Sequence, residues 1–168
     1  MKQLEKKSEC TIDSKVEVFE LPPDLTWEDY KQLSSEEKKQ YLVKSEDDLV
    51  VDAGIQQIIR LMIAANTNSF THCSVGSGTN APAGGDIDLQ TPIGRNLVND
   101  RYIIGLVAHF DTFFGKNDDN GTWNETGIHT AASGGEMLCR RKFPAAFTKD
   151  NTKAAVVAWS ITFAAVAD

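Results

Sequence analysis

From Ser69 onward the apolar residues of this chain recur at every second position, and that period constrains the fold more than any other feature. It is clearest near the end, where Ala155, Val157, Trp159, Ile161 and Phe163 alternate with Val156, Ala158, Ser160 and Thr162. Successive side chains of a strand point to opposite faces, so a run of this kind lines the two sides of a sheet. Strand patterns also cover Phe70 to Val75, Trp123 to Thr130 and Glu136 to Phe143. Leu97 to Ile104 and Leu106 to Phe114 read as two strands or one long bent one, with Gly105 as a bulge or break. Ala132-Ser133-Gly134-Gly135 carries the chemistry of a hairpin. Short strands at this spacing predict a mainly β protein, an antiparallel sandwich or barrel.

One packed helix is expected before the strands. It opens at Asp47 or Asp48 and runs to about Asn66, with Val51, Ile55, Ile58, Ile59, Met62 and Ile63 on the face turned to the sheet. Gln56, Gln57 and Arg60 fall on the other side. Gly54 inside it costs about 1 kcal/mol against Ala, which predicts a close packing contact.

The residues ahead of that helix have no period that builds a core. Val16, Val18 and Leu21 lie among charges and suit a short strand, which Pro22-Pro23 stops. Thr26 and Ser34 are helix caps, and Ser34 with Glu37 matches a capping box. Trp27, Tyr30 and Leu33 share one helical face, which must dock on the domain behind it or on another subunit. The expected division is an extended and helical N-terminal arm at 1–48 and a helix-plus-sheet domain at 49–168. Trp27, Tyr30 and Leu33 are the candidate assembly contacts, and removal of residues 1–46 is expected to leave a folded domain.

The charge balance narrows the partners. Among 168 residues the formal net charge is -7, and the one dense basic spot is Arg140-Arg141-Lys142. Phosphate contacts need clustered Lys and Arg, so nucleic-acid binding is not expected. No apolar run reaches the roughly 20 residues of a membrane helix, and the charged start has no signal-peptide core, so synthesis in a cytoplasm is expected. Three cysteines without metal-ligand spacing predict neither a disulfide framework nor a zinc site. Cys73 and Cys139 are expected to be buried as small hydrophobes, which leaves Cys10 for a bond between copies.

No catalytic, cofactor or metal site emerges. Gly76-Ser77-Gly78 with Gly84-Gly85 lacks the Gly-Lys-Ser/Thr ending of a phosphate loop, and Asp86 and Asp88 repel phosphate. Asn117-Asp118-Asp119-Asn120-Gly121 fails as a calcium loop, because Lys116 and Gly127 stand where ligands belong. It suits a hairpin tip instead. His72, His109 and His129 sit on three strands. Asp111 shares a face with His109, so a site would form only if those strands were neighbours.

Several segments carry a resemblance. Val75-Gly76-Ser77-Gly78-Thr79-Asn80-Ala81-Pro82-Ala83 precedes an acidic position (Asp86 or Asp88), Leu89 and Arg95. Gly121 to Ile128, Ala131 to Arg140, and Lys149 followed by Ala158 to Phe163 come next in order. This succession, over about residues 50 to 163, resembles a group of small structural proteins of tailed-phage and prophage virions. Glu125, set beside Gly127 in its strand, is expected to bond a loop backbone or Arg95.

The resemblance implies a non-enzymatic virion protein associated with tail, collar or fibre. It would attach through residues 1–48 to other virion proteins and to copies of itself, in a ring or small symmetric oligomer. Capsid decoration is the alternative. A receptor- or glycan-binding module with Trp123 or Phe113 lining a groove is a further one.

Overall fold

The computed structural model describes residues 9–166. Nine strands form one antiparallel, curled sheet, so the expected mainly β architecture is present. In chain order they are β1 (Glu9–Leu21), β2 (Leu42–Val50), β3 (His72–Gly76), β4 (Pro92–Leu97), β5 (Asp100–Ile104), β6 (Val107–Phe114), β7 (Gly121–His129), β8 (Met137–Lys149) and β9 (Ala154–Val166). Three helices accompany them: α1 (Trp27–Gln32), α2 (Ser35–Lys39) and α3 (Asp52–Met62). None is long and apolar enough to cross a membrane.

The strand order is β4-β3-β7-β8-β2-β1-β9-β6-β5. Its two edge strands, β4 and β5, are consecutive in the chain, with Val98 and Asn99 between them. Two residues cannot span a flat sheet of this width, so the sheet must curl until its edges approach. The Val98 amide still donates to Thr71 beside β3, whereas the Asn99 amide already donates to Asp111 on β6. The stretch read as one bent strand or two is thus two hairpin arms, with Gly105 in a tight turn at φ +59°.

Alternation on β9 sorts the core. Val157, Trp159 and Ile161 are buried on the concave side with Val16, Val18, Phe114, Trp123 and Phe143. On the opposite face Val156 packs with Phe19, Leu21 and Tyr30 beneath α1. Both faces of this part of β9 are covered, which is why its sequence is so evenly apolar.

Residues 9–48 are not an arm. β1 pairs with β9 from Glu9 to Leu21 on one side and with β2 on the other, well inside the sheet. Its charged positions alternate outward while Val16 and Val18 point into the core. Residues 1–8 of the expected arm lie outside the described residues. The two short helices form where their caps suggested: Thr26 with Asp29 and Ser34 with Glu37 each close a capping box.

The helix also begins later than expected. Leu42–Val50 is a strand, and α3 follows from Asp52 with Val51 at its cap. Its inward face differs too. Val51, Gly54 and Gln57 are buried and Ile58 packs on the core, while Ile55, Ile59, Met62 and Ile63 are exposed. The glycine explains the choice of face. A Cβ on Gly54 would collide with the Leu138 backbone, so only this side can approach β8 so closely. Gln57 is satisfied there, donating to the Asn68 carbonyl at 2.7 Å and accepting from Asn66.

Removing residues 1–46 deletes all of β1 and half of β2. The truncated chain is expected to show no cooperative thermal transition in circular dichroism; an intact transition would contradict the central placement of β1. A second expectation concerns Asp48. Burial pushes its carboxyl up to about 7, against backbone and Ser14 hydrogen bonds that favour ionisation. Unfolded, it ionises near 3.8. Between these values folding takes up a proton, so this group's contribution to stability declines as pH rises from about 4 to about 7. Asp48→Asn is therefore expected to gain stability relative to wild type over that range, on the order of 2 kcal/mol by pH 8, read from urea melts at matched pH.

Candidate functional site

The loop after β3, the Gly121–Ile128 segment and Arg140, all of which carry the resemblance, meet at one buried carboxylate. Glu125 lies on β7 with no solvent exposure, between Trp123 in the core and Gly127 against β8. Register shifts on either side of the Glu125–Ile128 stretch aim its side chain under the loop that follows β3. One carboxylate oxygen accepts from the amides of Gly78 at 3.0 Å and Thr91 at 2.8 Å. The other accepts from the Gln90 amide at 3.0 Å and from Arg140 Nε at 2.8 Å. A Cβ on Gly78 would collide with the carboxylate, so glycine is required where the loop passes over it.

Arg140, also buried, extends the network. It donates to Asp86 at 2.6 Å and to the Asn80 carbonyl at 3.2 Å. Burial alone would raise the Asp86 carboxyl. The Ala83 amide and the Arg140 guanidinium outweigh it and hold the group below the usual carboxylate value. Arg95 on β4 does separate work. It pairs with Asp88 at 2.7 Å and donates to the carbonyls of Ala131 and Gly134, tying the loop to the β7–β8 hairpin. The expectation that Glu125 bonds a loop backbone therefore holds, but its cationic partner is Arg140 on the adjacent strand, not Arg95.

Every charged group here is held by another part of the chain, which is the chemistry of a staple. A carboxylate with three amide donors and a guanidinium has no lone pair to spare for a substrate proton.

The histidines do not converge. His72 and His129 are cross-strand neighbours on β3 and β7, whereas His109 is on β6, toward the other end of the strand order. His129 is fully buried against Ser74 Oγ at 2.7 Å. Burial, with Arg95 and His72 nearby, lowers its pKa to about 3, so it stays neutral. Among the described residues no cluster of His, Cys, Asp and Glu suits a metal ion. At the Asn117 to Gly121 tip, Lys149 reaches Asn120 at 2.7 Å and brings its own positive charge beside the aspartates. Cys73 and Cys139 are buried free thiols as expected, and Cys10 is an exposed one.

Of the candidate assembly contacts, Tyr30 is buried against its own sheet, stacked with Trp27 and edge-on to Phe19. Trp27 and Leu33 border the same cluster. The face they share docks on the domain behind it. The two aromatics named for the receptor- or glycan-binding alternative line no groove: Trp123 is wholly inside the core and Phe113 packs against the cluster beneath α1.

Sequence reasoning missed Arg140 as the partner of Glu125, and Asp86 as the second partner of Arg140, because strand register decides which side chains meet. Glu125→Gln is expected to lower unfolding free energy by about 3 kcal/mol or more, since it sets an amide donor against amide donors and leaves the buried Arg140 with Asp86 as its one remaining carboxylate partner. Glu136→Gln, at a half-exposed pair with Arg60, should cost less than about 1 kcal/mol. Equal losses in denaturant melts would contradict the assigned role of Glu125. No protein-family model, curated protein or solved structure matches this chain.

Proposed function

We propose that this chain is a non-enzymatic structural component of a tailed-phage virion, associated with tail, collar or fibre. It works together with other virion proteins and with copies of itself in a ring or small symmetric oligomer. Glu125, Arg140 and the loop after β3, which carry much of the resemblance, support this reading, because they fold into a staple and not into a reactive site.

The observation that carries it is the apolar surface left in solvent. On α3, Ile59, Met62 and Ile63 are exposed, Met62 at 79%. At the β5–β6 hairpin, Ile103 is exposed at 77%, with Ile104 and Leu106 beside it. β5 is an edge strand, exposed along its whole length. A free-standing domain hides such side chains and guards such edges. A subunit covers them with its neighbours. The attachment role moves accordingly, from residues 1–48 to α3 and the β5–β6 hairpin.

The test is quantitative mass spectrometry of particles carrying the wild-type gene or the Ile59→Asp, Met62→Asp double variant. Wild-type chain is expected at a fixed, low copy number matching a ring, and the soluble, folded double variant is expected to be missing from particles. Absence of the wild-type chain, or full incorporation of the variant, would overturn the proposal. A copy number matching the head lattice would overturn the tail assignment in favour of capsid decoration.

A further inference from the structure

The outer face of the sheet, opposite the concave core, carries a cavity of about 360 Å³ roofed by the short helices. Its origin is legible in the strand register. Glu17, Ala158, Asp111 and Asp100 form one row across β1, β9, β6 and β5. Lys15, Ser160, His109 and Tyr102 form the next. Directly paired residues share a face, so both rows look outward. In the row before them, Phe19, Val156 and Phe113 are large and lie beneath α1. On β9 the next two outward residues are Ala158 and Ser160, and the face sinks where they replace a large side chain.

The walls are chemically mixed. Tyr102 stacks on His109 with ring centroids 4.7 Å apart and planes 9° from parallel, and it remains 39% exposed. The Tyr102 hydroxyl donates to Asp111 at 3.3 Å, which fixes that carboxylate at the rim of the stack. His109 Nδ1 lies 3.1 Å from Ser160 Oγ, which sets the ring orientation. Across the cavity, Lys38 holds its ammonium 4.6 Å from the centroid of the Tyr30 ring, and among the described residues it pairs with no carboxylate. Glu17 stands on the β1 side, engaged by Lys15 and Ser45.

Charge and shape together select a ligand class. An anion would meet Glu17 and Asp111. A wholly apolar ligand would strand Asp111 and Lys38. A neutral polyhydroxylated ring satisfies both: its hydroxyls donate to Asp111 and accept from Lys38, while its C–H face lies on the electron-rich face of an aromatic shelf. The volume falls within the range of about 300–1,000 Å³ typical of small-molecule sites. We propose that the cavity between α1–α2 and the outer rows of β1, β9, β6 and β5 binds a neutral saccharide. Tyr102 serves as stacking platform, and Asp111 and Lys38 as the orienting hydrogen-bond partners. This goes beyond the structural role proposed above and does not depend on it, since it concerns the isolated chain.

The test is a glycan array of neutral and anionic oligosaccharides probed with the full chain, followed by NMR titration of the best neutral binder. A neutral saccharide is expected to bind. Its affinity should fall at least about tenfold in Tyr102→Ala, which removes the platform, and in Ala158→Leu, which fills the hollow. Lys38→Ala, on an exposed helical turn, is measured alongside so that a variant that fails to fold does not decide the outcome. Failure of every neutral glycan to bind, selection of anionic glycans alone, or unchanged affinity in the folded variants would overturn the assignment.

Discussion

A buried carboxylate, Glu125, is the interaction on which the rest of this structure depends. The loop between β3 and β4 has no regular structure, and its amides would otherwise lie partly out of water without partners. Glu125 accepts three of them and holds Arg140 as its counter-charge. With the loop pinned, Leu89 is seated against Val51 and Met137. The Gly84 carbonyl then receives the Asp52 amide at the first turn of α3. A single desolvated ion pair thereby fixes a loop, a helix start and the packing of that helix on β8. Such a pair is costly to bury and more costly to break. That asymmetry suits a part that must hold one shape.

Much of this was legible in the sequence, for reasons that can be named. The alternation on β9, the Gly-rich β7–β8 turn and the helix caps at Thr26 and Ser34 are local signals, and each element formed where its signal stood. Gly54 announced a close contact, and Leu138 supplies it. What stayed hidden depended on pairing across the chain. β1 was read as a short strand but placed in an arm, and β2 was missed, because a one-sided strand with charges outward, such as the Lys15 to Glu20 stretch, has too few apolar residues to show that it sits inside a sheet. The Ser45 to Asp48 run mimicked a helix start, although those residues pair with β1. The inward face of α3 is rotated from the expected one, keeping Val51 and Ile58 but not Ile55, Ile59, Met62 and Ile63, because apolar count favoured the isoleucines. Backbone proximity at Gly54 and the hydrogen bonds of Gln57 decided otherwise. Arg140 replaced Arg95 at Glu125 because the β7–β8 register, broken by shifts near Trp123 and Ile128, brings it there.

The two faces of the sheet divide the work. On the concave side, α3 closes the core and turns an apolar surface outward. On the outer side, α1 and α2 seal the start of β9 and roof a polar, aromatic hollow over Ala158 and Ser160. In the proposed role, neighbouring subunits cover the first surface and leave the second open to a ligand.

The most direct measurement of the central role of Glu125 is residue-resolved amide hydrogen exchange of the full chain by NMR. If the carboxylate anchors the loop, the amides of Gly78, Gln90 and Thr91 should exchange as slowly as those of the β7 core, because all open only when the sheet opens. Rapid exchange at those three positions, at the rate of an exposed loop, would contradict that role.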